Sequence, residues 1–205
     1  PRHGIMNIDV LSFARLAYRV FEETGTKQMQ VLDDEGKNLI LRKIAGDYEN
    51  KLTVLKGNIK KLGYISEVKS VISEFTQYDI GEEEMDEMLD HLDEDSRLYY
   101  KLKDIRLLYE GFQDYLRERY ITKEELLDVL NSQVKESELL KNSVVVLDGF
   151  TGFTPVQNRL ILELMRCCKE VWVTVTMDER ENPYAYKHPY QLFGLSKQMV
   201  TTLIR

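Results

Sequence analysis

Residues Val144 to Gln157 read VVVLDGFTGFTPVQ, and this stretch decides the fold class. Four apolar residues, three of them β-branched, run into Asp148 and Gly149, the pattern of a strand buried on both faces and stopped by a turn. Pro155 suits the first turn of a helix, and Asn158 to Met165 (NRLILELM) supplies an apolar helical face. Glu170 to Met177 (EVWVTVTM) then alternates and ends on Asp178. Strand, helix and strand in this order predict a parallel crossover with Asp148 at a strand's carboxyl end, where doubly wound α/β proteins bind ligands.

In register, DGFTGFTPVQ resembles the second motif of UvrD-type superfamily 1 helicases, which runs D-E-F-Q-D-T-N-P-L-Q; Asp148, Phe150, Pro155 and Gln157 match. Gly149 stands where that motif has the Glu that orients the attacking water, Thr151 replaces its Gln and Gly152 its second Asp. Such a site lacks the group that positions the nucleophile and takes its proton. The degenerate form, with VLSFARL at Val10 to Leu16, closely resembles the B subunits of AddAB (RexAB) helicase/nucleases, whose helicase-like half is inactive.

That resemblance implies part of a P-loop-type parallel sheet of a superfamily 1 domain, with a large all-helical insertion. Residues 1–30 and 142–205 would belong to the inactive motor domain and 31–141 to the insertion. It also implies a catalytic A subunit and DNA as partners, in the processing of double-strand breaks for recombinational repair. Magnesium, ATP and a 4Fe-4S cluster are implied for the whole protein, and no cofactor for this stretch of it. Ser12 and Phe13 match the T-F-H-S motif by which such motors touch single-stranded DNA, with Ala14 in place of His; Ser12 as a helix cap explains that residue equally well.

Elsewhere the patterns are local. Ile8 and Val10 alternate as a short strand would, and Leu16, Val20 and Phe21 recur at helical spacing up to Gly25. From Val31 to Lys141 apolar residues recur every three or four, predicting a run of helices. Leu98 to Tyr120 is the longest, with Leu102, Ile105, Leu108, Tyr109, Phe112 and Leu116 as its buried stripe, and Thr122 with Glu125 forms a capping box before the next. Past Asp178 a polar loop leads to a last helix over 191–204. Asp178 matches the Asp of the superfamily's γ-phosphate sensor, but its Gln is missing.

The chain has 205 residues and a net charge of −7. Residues 73–142 hold 9 Lys plus Arg against 20 Asp plus Glu, so DNA affinity has to come from local surfaces. Lys56, Lys60 and Lys61, flanking a helical ridge of Leu55 and Ile59, are the candidate phosphate contacts, with Ser12, Phe13 and Arg15 at the DNA-motif resemblance. The acidic run Gly81 to Asp95 reads as a solvated face with Met85, Met88, Leu89 and Leu92 beneath it. Cys167 and Cys168 are adjacent, a poor geometry for a disulfide or a metal site, and fit a reduced, cytoplasmic compartment. No membrane span or signal peptide is visible. The sequence begins without Met and stops within an apparent helix, so it reads as a piece of a longer protein. Two other functions remain compatible with it: a divergent but active UvrD-like ATPase, and a structural interaction module.

Overall fold

The computed structural model describes residues 7–26, 30–59, 61–117 and 119–204. It is a mostly helical α/β protein with two small parallel sheets. Nine helices are described: α1 (Phe13–Thr24), α2 (Asp34–Asp47), α3 (Leu62–Gln77), α4 (Glu82–Asp90), α5 (Arg97–Leu116), α6 (Glu125–Gln133), α7 (Glu138–Lys141), α8 (Pro155–Cys167) and α9 (Gly194–Leu203). Strand β1 (Gln30–Val31) pairs with β2 (Tyr120–Ile121), and β3 (Val144–Leu147) with β4 (Glu170–Val173). The parallel crossover β3–α8–β4 follows the sequence pattern.

Local chemistry accounts for the helix ends. Ser12 accepts from the Arg15 amide at the start of α1, and Gly25 closes it in the left-handed conformation. Thr154 and Gln157 form a reciprocal capping box at α8, with Pro155 in the first turn. Thr122 and Glu125 form the same box before α6.

Two apolar clusters result. Ile40, Leu41 and Ile44 of α2 meet Ile65, Val68 and Ile72 of α3, Met85 of α4, and Ile105, Leu108 and Phe112 of α5. Gly111 allows α5 to lie close to α2, since a Cβ there would stand 2.7 Å from the Tyr48 ring. The second cluster joins Ala17, Val20 and Phe21 of α1, Leu126 and Leu130 of α6, Leu140 of α7, and Leu160 and Leu164 of α8, with Val145 and Val171 against it. The β1–β2 pair lies at the neck between them: the chain enters the first cluster just after Val31 and leaves it just before Ile121.

Several expectations need correcting. Residues 7–12 form no strand, Val10 being 89% exposed, because no neighbouring strand among the described residues pairs with them. Ile5, where the sequence pattern of a short strand feeding α1 begins, lies outside the described residues. β3 is not buried on both faces: Val144 and Val146 are 54% and 58% exposed, since α8 covers only the side carrying Val145 and Leu147. The β3–β4 ladder stops at Val173, with one further bond from Thr174 N to Leu147 O, so the strand falls short of Met177. Residues 51–59 are not a helical ridge but a 3-10 turn (Glu49–Lys51) and further turns that bury Leu52, Leu55 and Ile59. Helix α5 stops at Leu116, ahead of Tyr120, and α9 starts only at Gly194. Beneath the acidic run Met85 is buried, but Met88 is exposed, because α4 is short and meets α5 along one edge only.

Two buried polar groups shape the helical cluster. Lys37, 2% exposed, donates to Glu124 Oε2 at 2.7 Å and Ser73 Oγ at 3.2 Å, tying α2 to the start of α6. Asp104 on α5 accepts from the backbone amides of Thr53, Val54 and Leu55 at 2.7 to 3.0 Å. It supplies the acceptors that the turn at 53–55 lacks within itself.

Candidate functional site

Because β3 and β4 are parallel, their following loops leave the same edge of the sheet. At that edge the Thr174 hydroxyl donates to Asp148 Oδ1 at 2.5 Å and accepts from the Gly149 amide at 3.2 Å. One hydroxyl thus ties the end of β4 to the turn after β3. Gly149 has φ +78, a left-handed conformation that side-chain-bearing residues rarely adopt. Thr151 and Gly152 are exposed in the same loop, and Gln157 is engaged in capping α8.

The two motif-like segments meet in space. The Phe13 ring lies 5.7 Å from Phe150, which lies 4.9 Å from Phe153, a tilted row of three half-buried aromatics. Ser12 is the cap of α1, and Arg15 is exposed on its first turn. Lys56 and Lys61 are placed elsewhere, on the turns around Leu55 and Ile59 of the helical cluster; both are exposed, and Lys61 Nζ donates to Asn58 Oδ1 at 2.8 Å. Lys60 lies outside the described residues. The acidic helix α4 is partly satisfied from within: Arg106 of α5 stands 2.6 Å from Asp86 and within 4 Å of Glu82 and Glu110. The hydrogen bond with Asp86 raises the Arg106 pKa, against the effect of burial.

The donor sets do not fit a complete cofactor site. Asp148 offers one carboxylate, whose Oδ1 accepts from Thr174, and among the described residues no three His, Cys, Asp or Glu side chains are grouped to hold a metal. A phosphate-cradling G-x-x-x-x-G-K-[ST] loop does not occur in these 205 residues. Burial, with the neighbouring Cys167, pushes the Cys168 thiol up to about 11, away from the thiolate that iron or zinc requires. Asp178, at the end of the strand-like segment, is chelated by Arg180, whose side-chain hydrogen bonds hold its carboxyl below the usual range.

The sequence profile of the AddB N-terminal family matches residues 1–205. The chain belongs to the AddB N-terminal family. It is 43% identical over 204 residues to a protein of Lachnoclostridium phytofermentans named as the B subunit of an ATP-dependent helicase/deoxyribonuclease, covering 99% of this chain and 18% of that relative. A protein of the same name from Alkaliphilus oremlandii is 38% identical over 175 residues, 85% of this chain and 15% of its own length. This AddB N-terminal segment therefore spans less than a fifth of the curated relatives it matches.

Sequence reasoning passed over several residues that organise this edge and the helical cluster. Thr174 carried no motif, although its hydroxyl sits opposite Asp148. Thr154 was legible as T-x-x-Q, the capping-box spacing. Lys37 and Glu124 are 87 positions apart, and no local pattern joins them. Among the described residues no helix is long and apolar enough to cross a membrane.

Proposed function

We propose that this segment is the non-catalytic, helicase-like beginning of the B subunit of a helicase/deoxyribonuclease, holding or surveying DNA while double-strand breaks are processed for recombinational repair. The observation that carries the reading is Gly149. It stands in place of the motif's glutamate, at φ +78, beside an Asp148 whose Oδ1 accepts from Thr174. A nucleotide-hydrolysing site needs a side chain there to orient water. Family membership and the names of the relatives supply the rest of the context.

Within this reading, β3, α8 and β4 form part of a P-loop-type parallel sheet, and the bare faces of Val144, Val146 and Trp172 are interior surfaces in the longer protein. The helical insertion is residues 31–141; within it, residues 32–120 pack on the first apolar cluster, and α6 and α7 on the one that also holds α1 and α8. The A subunit of the complex supplies catalysis. Magnesium, ATP and the iron–sulfur cluster are assigned to other parts of a cytoplasmic assembly.

The test uses the full-length protein assembled with a partner whose own ATP site has been inactivated. No magnesium-dependent ATP turnover depending on Asp148 is expected. A rate of about 1 per second or more that Asp148→Ala abolishes would establish an active UvrD-like ATPase instead. Wild-type protein without measurable DNA affinity would favour an interaction module.

A further inference from the structure

A cavity of about 250 Å³ opens between α4, the first half of α5 and the turns that follow the 3-10 segment at Glu49–Lys51. Leu89 of α4 with Tyr99 and Leu107 of α5 supply its apolar lining. Lys51, Thr53 and Lys103, all exposed, bring two ammonium groups and a hydroxyl to it. The Thr53 side of the cavity is held in place from below, since Leu52 and Leu55 are buried and the amides of residues 53–55 donate to Asp104.

Five charged side chains line the cavity, and three of them are already satisfied. The buried Asp104 carboxylate accepts from three backbone amides. Asp86 and Arg106 pair at 2.6 Å, and Glu82 and Glu110 flank the same guanidinium within 4 Å. Lys51 and Lys103 remain. Among the described residues no carboxylate forms an ion pair with either one; Lys51 Nζ stands 4.9 Å from the centroid of the Tyr48 ring and Lys103 Nζ 5.9 Å from that of Tyr99. In a chain of net charge −7 this is a local excess of positive charge beside an apolar lining.

Two unpaired ammonium groups and a hydroxyl match a dianion with several acceptor oxygens, and the apolar lining matches a carbon body next to it. The volume lies below the ~300 Å³ at which drug-sized pockets begin, so that body is small. An internal phosphodiester carries one charge only and would leave one ammonium group uncompensated.

We propose that this cavity binds a phosphate monoester with a small apolar or aromatic body. Lys51 and Lys103 neutralise its dianionic head, Thr53 donates its hydroxyl to the same head, and Leu89, Tyr99 and Leu107 hold the body. The site stands apart from the DNA-holding reading, and such a head reaches it either on a free small molecule or as the terminal phosphate of a strand.

The full-length protein in its complex is titrated with phenyl phosphate, and binding is followed by ligand-observed NMR. Lys51→Ala with Lys103→Ala is expected to weaken binding about tenfold or more, because charge-assisted bonds are lost. Lys103→Arg should keep most of the affinity. Lys101→Ala, which removes a neighbouring exposed lysine outside the cavity, should bind as wild type. Phenyl sulfate, a monoanion of the same shape, should bind several-fold more weakly. Phosphate monoesters take their second charge at about pH 6, so the affinity for phenyl phosphate should rise as pH passes upward through that value. A double variant that binds as wild type, a Lys101→Ala variant that loses as much, or equal affinity for sulfate and phosphate would each overturn the proposal. Wild type that takes up no phenyl phosphate would overturn it too, and would leave the DNA-holding reading standing. Displacement by 5′-phosphorylated but not 5′-hydroxyl oligo(dT) would assign the site to a strand end, and displacement by neither to a free monoester. Equal displacement by both strands would point to internal phosphodiesters and overturn the assignment.

Discussion

Thr174 donates its hydroxyl to Asp148 Oδ1 at 2.5 Å across the carboxyl ends of β3 and β4. The same oxygen accepts from Gly149 N, so the acid of a motor-like motif serves here to close a turn. Thr174→Val removes both bonds while keeping shape. Because the site is open to water, the expected cost is modest, about 0.5–1.5 kcal/mol in urea unfolding. Thr174→Ser should cost less than that. A valine variant as stable as wild type would show that the turn needs no such tie.

Gly149→Glu restores the motif's missing acid in name only. At φ +78 a side chain strains the backbone by about 1–2 kcal/mol, although nothing lies within 4 Å of the added Cβ. The variant is therefore expected to be slightly less stable and to gain no ATP turnover, since Thr151 and Gly152 still replace the motif's other polar groups. Single-turnover hydrolysis by the full complex would be the measurement. Activity from this one change would mean that the site is nearly intact.

The Lys37–Glu124 pair makes stability depend on acid. Burial by itself raises the Glu124 pKa, but the hydrogen bond and charge of Lys37 outweigh it and leave the carboxyl below its ordinary 4.5. A carboxylate held low in the folded state stabilises fully above its unfolded pKa, and that contribution disappears as pH falls through the lower folded value. Glu124→Gln should flatten the acid limb of a stability–pH curve below about pH 4.5. Lys37→Ala, which strands a partly buried carboxylate and opens a cavity, should cost about 3–5 kcal/mol, whereas Lys37→Met should cost less. Equal losses for alanine and methionine would show that the charge, and not the filled volume, governs the site.

The Asp104 carboxylate is the side-chain acceptor for the Thr53, Val54 and Leu55 amides together. Asp104→Ala should cost about 2–3 kcal/mol or more, because buried donors lose their partners. Asp104→Asn keeps one acceptor oxygen and should fall between alanine and wild type. Amide hydrogen exchange at 53–55 would report it directly, and unchanged protection in the alanine variant would sink the assignment.

The sequence made some of this legible and hid the rest for physical reasons. The parallel crossover was readable because β-branched runs, Pro155 and helical spacing are local signals, as were the caps at Ser12 and Thr122. The turns at 51–59 imitated a helix because Leu52, Leu55 and Ile59 are spaced as a helix would space them. Only the distant Asp104 carboxylate reveals why the amides of residues 53–55 can do without helical bonds. The apparent double burial of β3 failed for a related reason: Val144 and Val146 are as apolar as Val145, but among the described residues no element covers their face. Thr174 and Lys37 are meaningful only through partners far away in the chain.

A phosphate-binding turn and a merely soluble one differ in how they answer to salt. Lys56 and Lys61 stand on turns that Asp104 and the buried Leu55 and Ile59 hold in place, so their positions are fixed even without a helical ridge. Lys61 Nζ donates to the neutral Asn58 side chain, and no carboxylate among the described residues forms an ion pair with it. The acids Glu82, Glu83 and Glu84 lie on α4, whose negative face repels phosphate. Lys56→Ala with Lys61→Ala should therefore weaken DNA binding by the full complex and lower the salt slope by about 0.7–0.9 for each phosphate no longer neutralised. Charge reversal at Glu83, an exposed residue on α4, should leave DNA affinity nearly unchanged. Titrations with single-stranded and forked DNA across several salt concentrations distinguish the outcomes. A lysine variant with the wild-type slope would take this surface off the DNA path, and an affinity gain on reversing Glu83 would place the acidic helix beside the DNA instead.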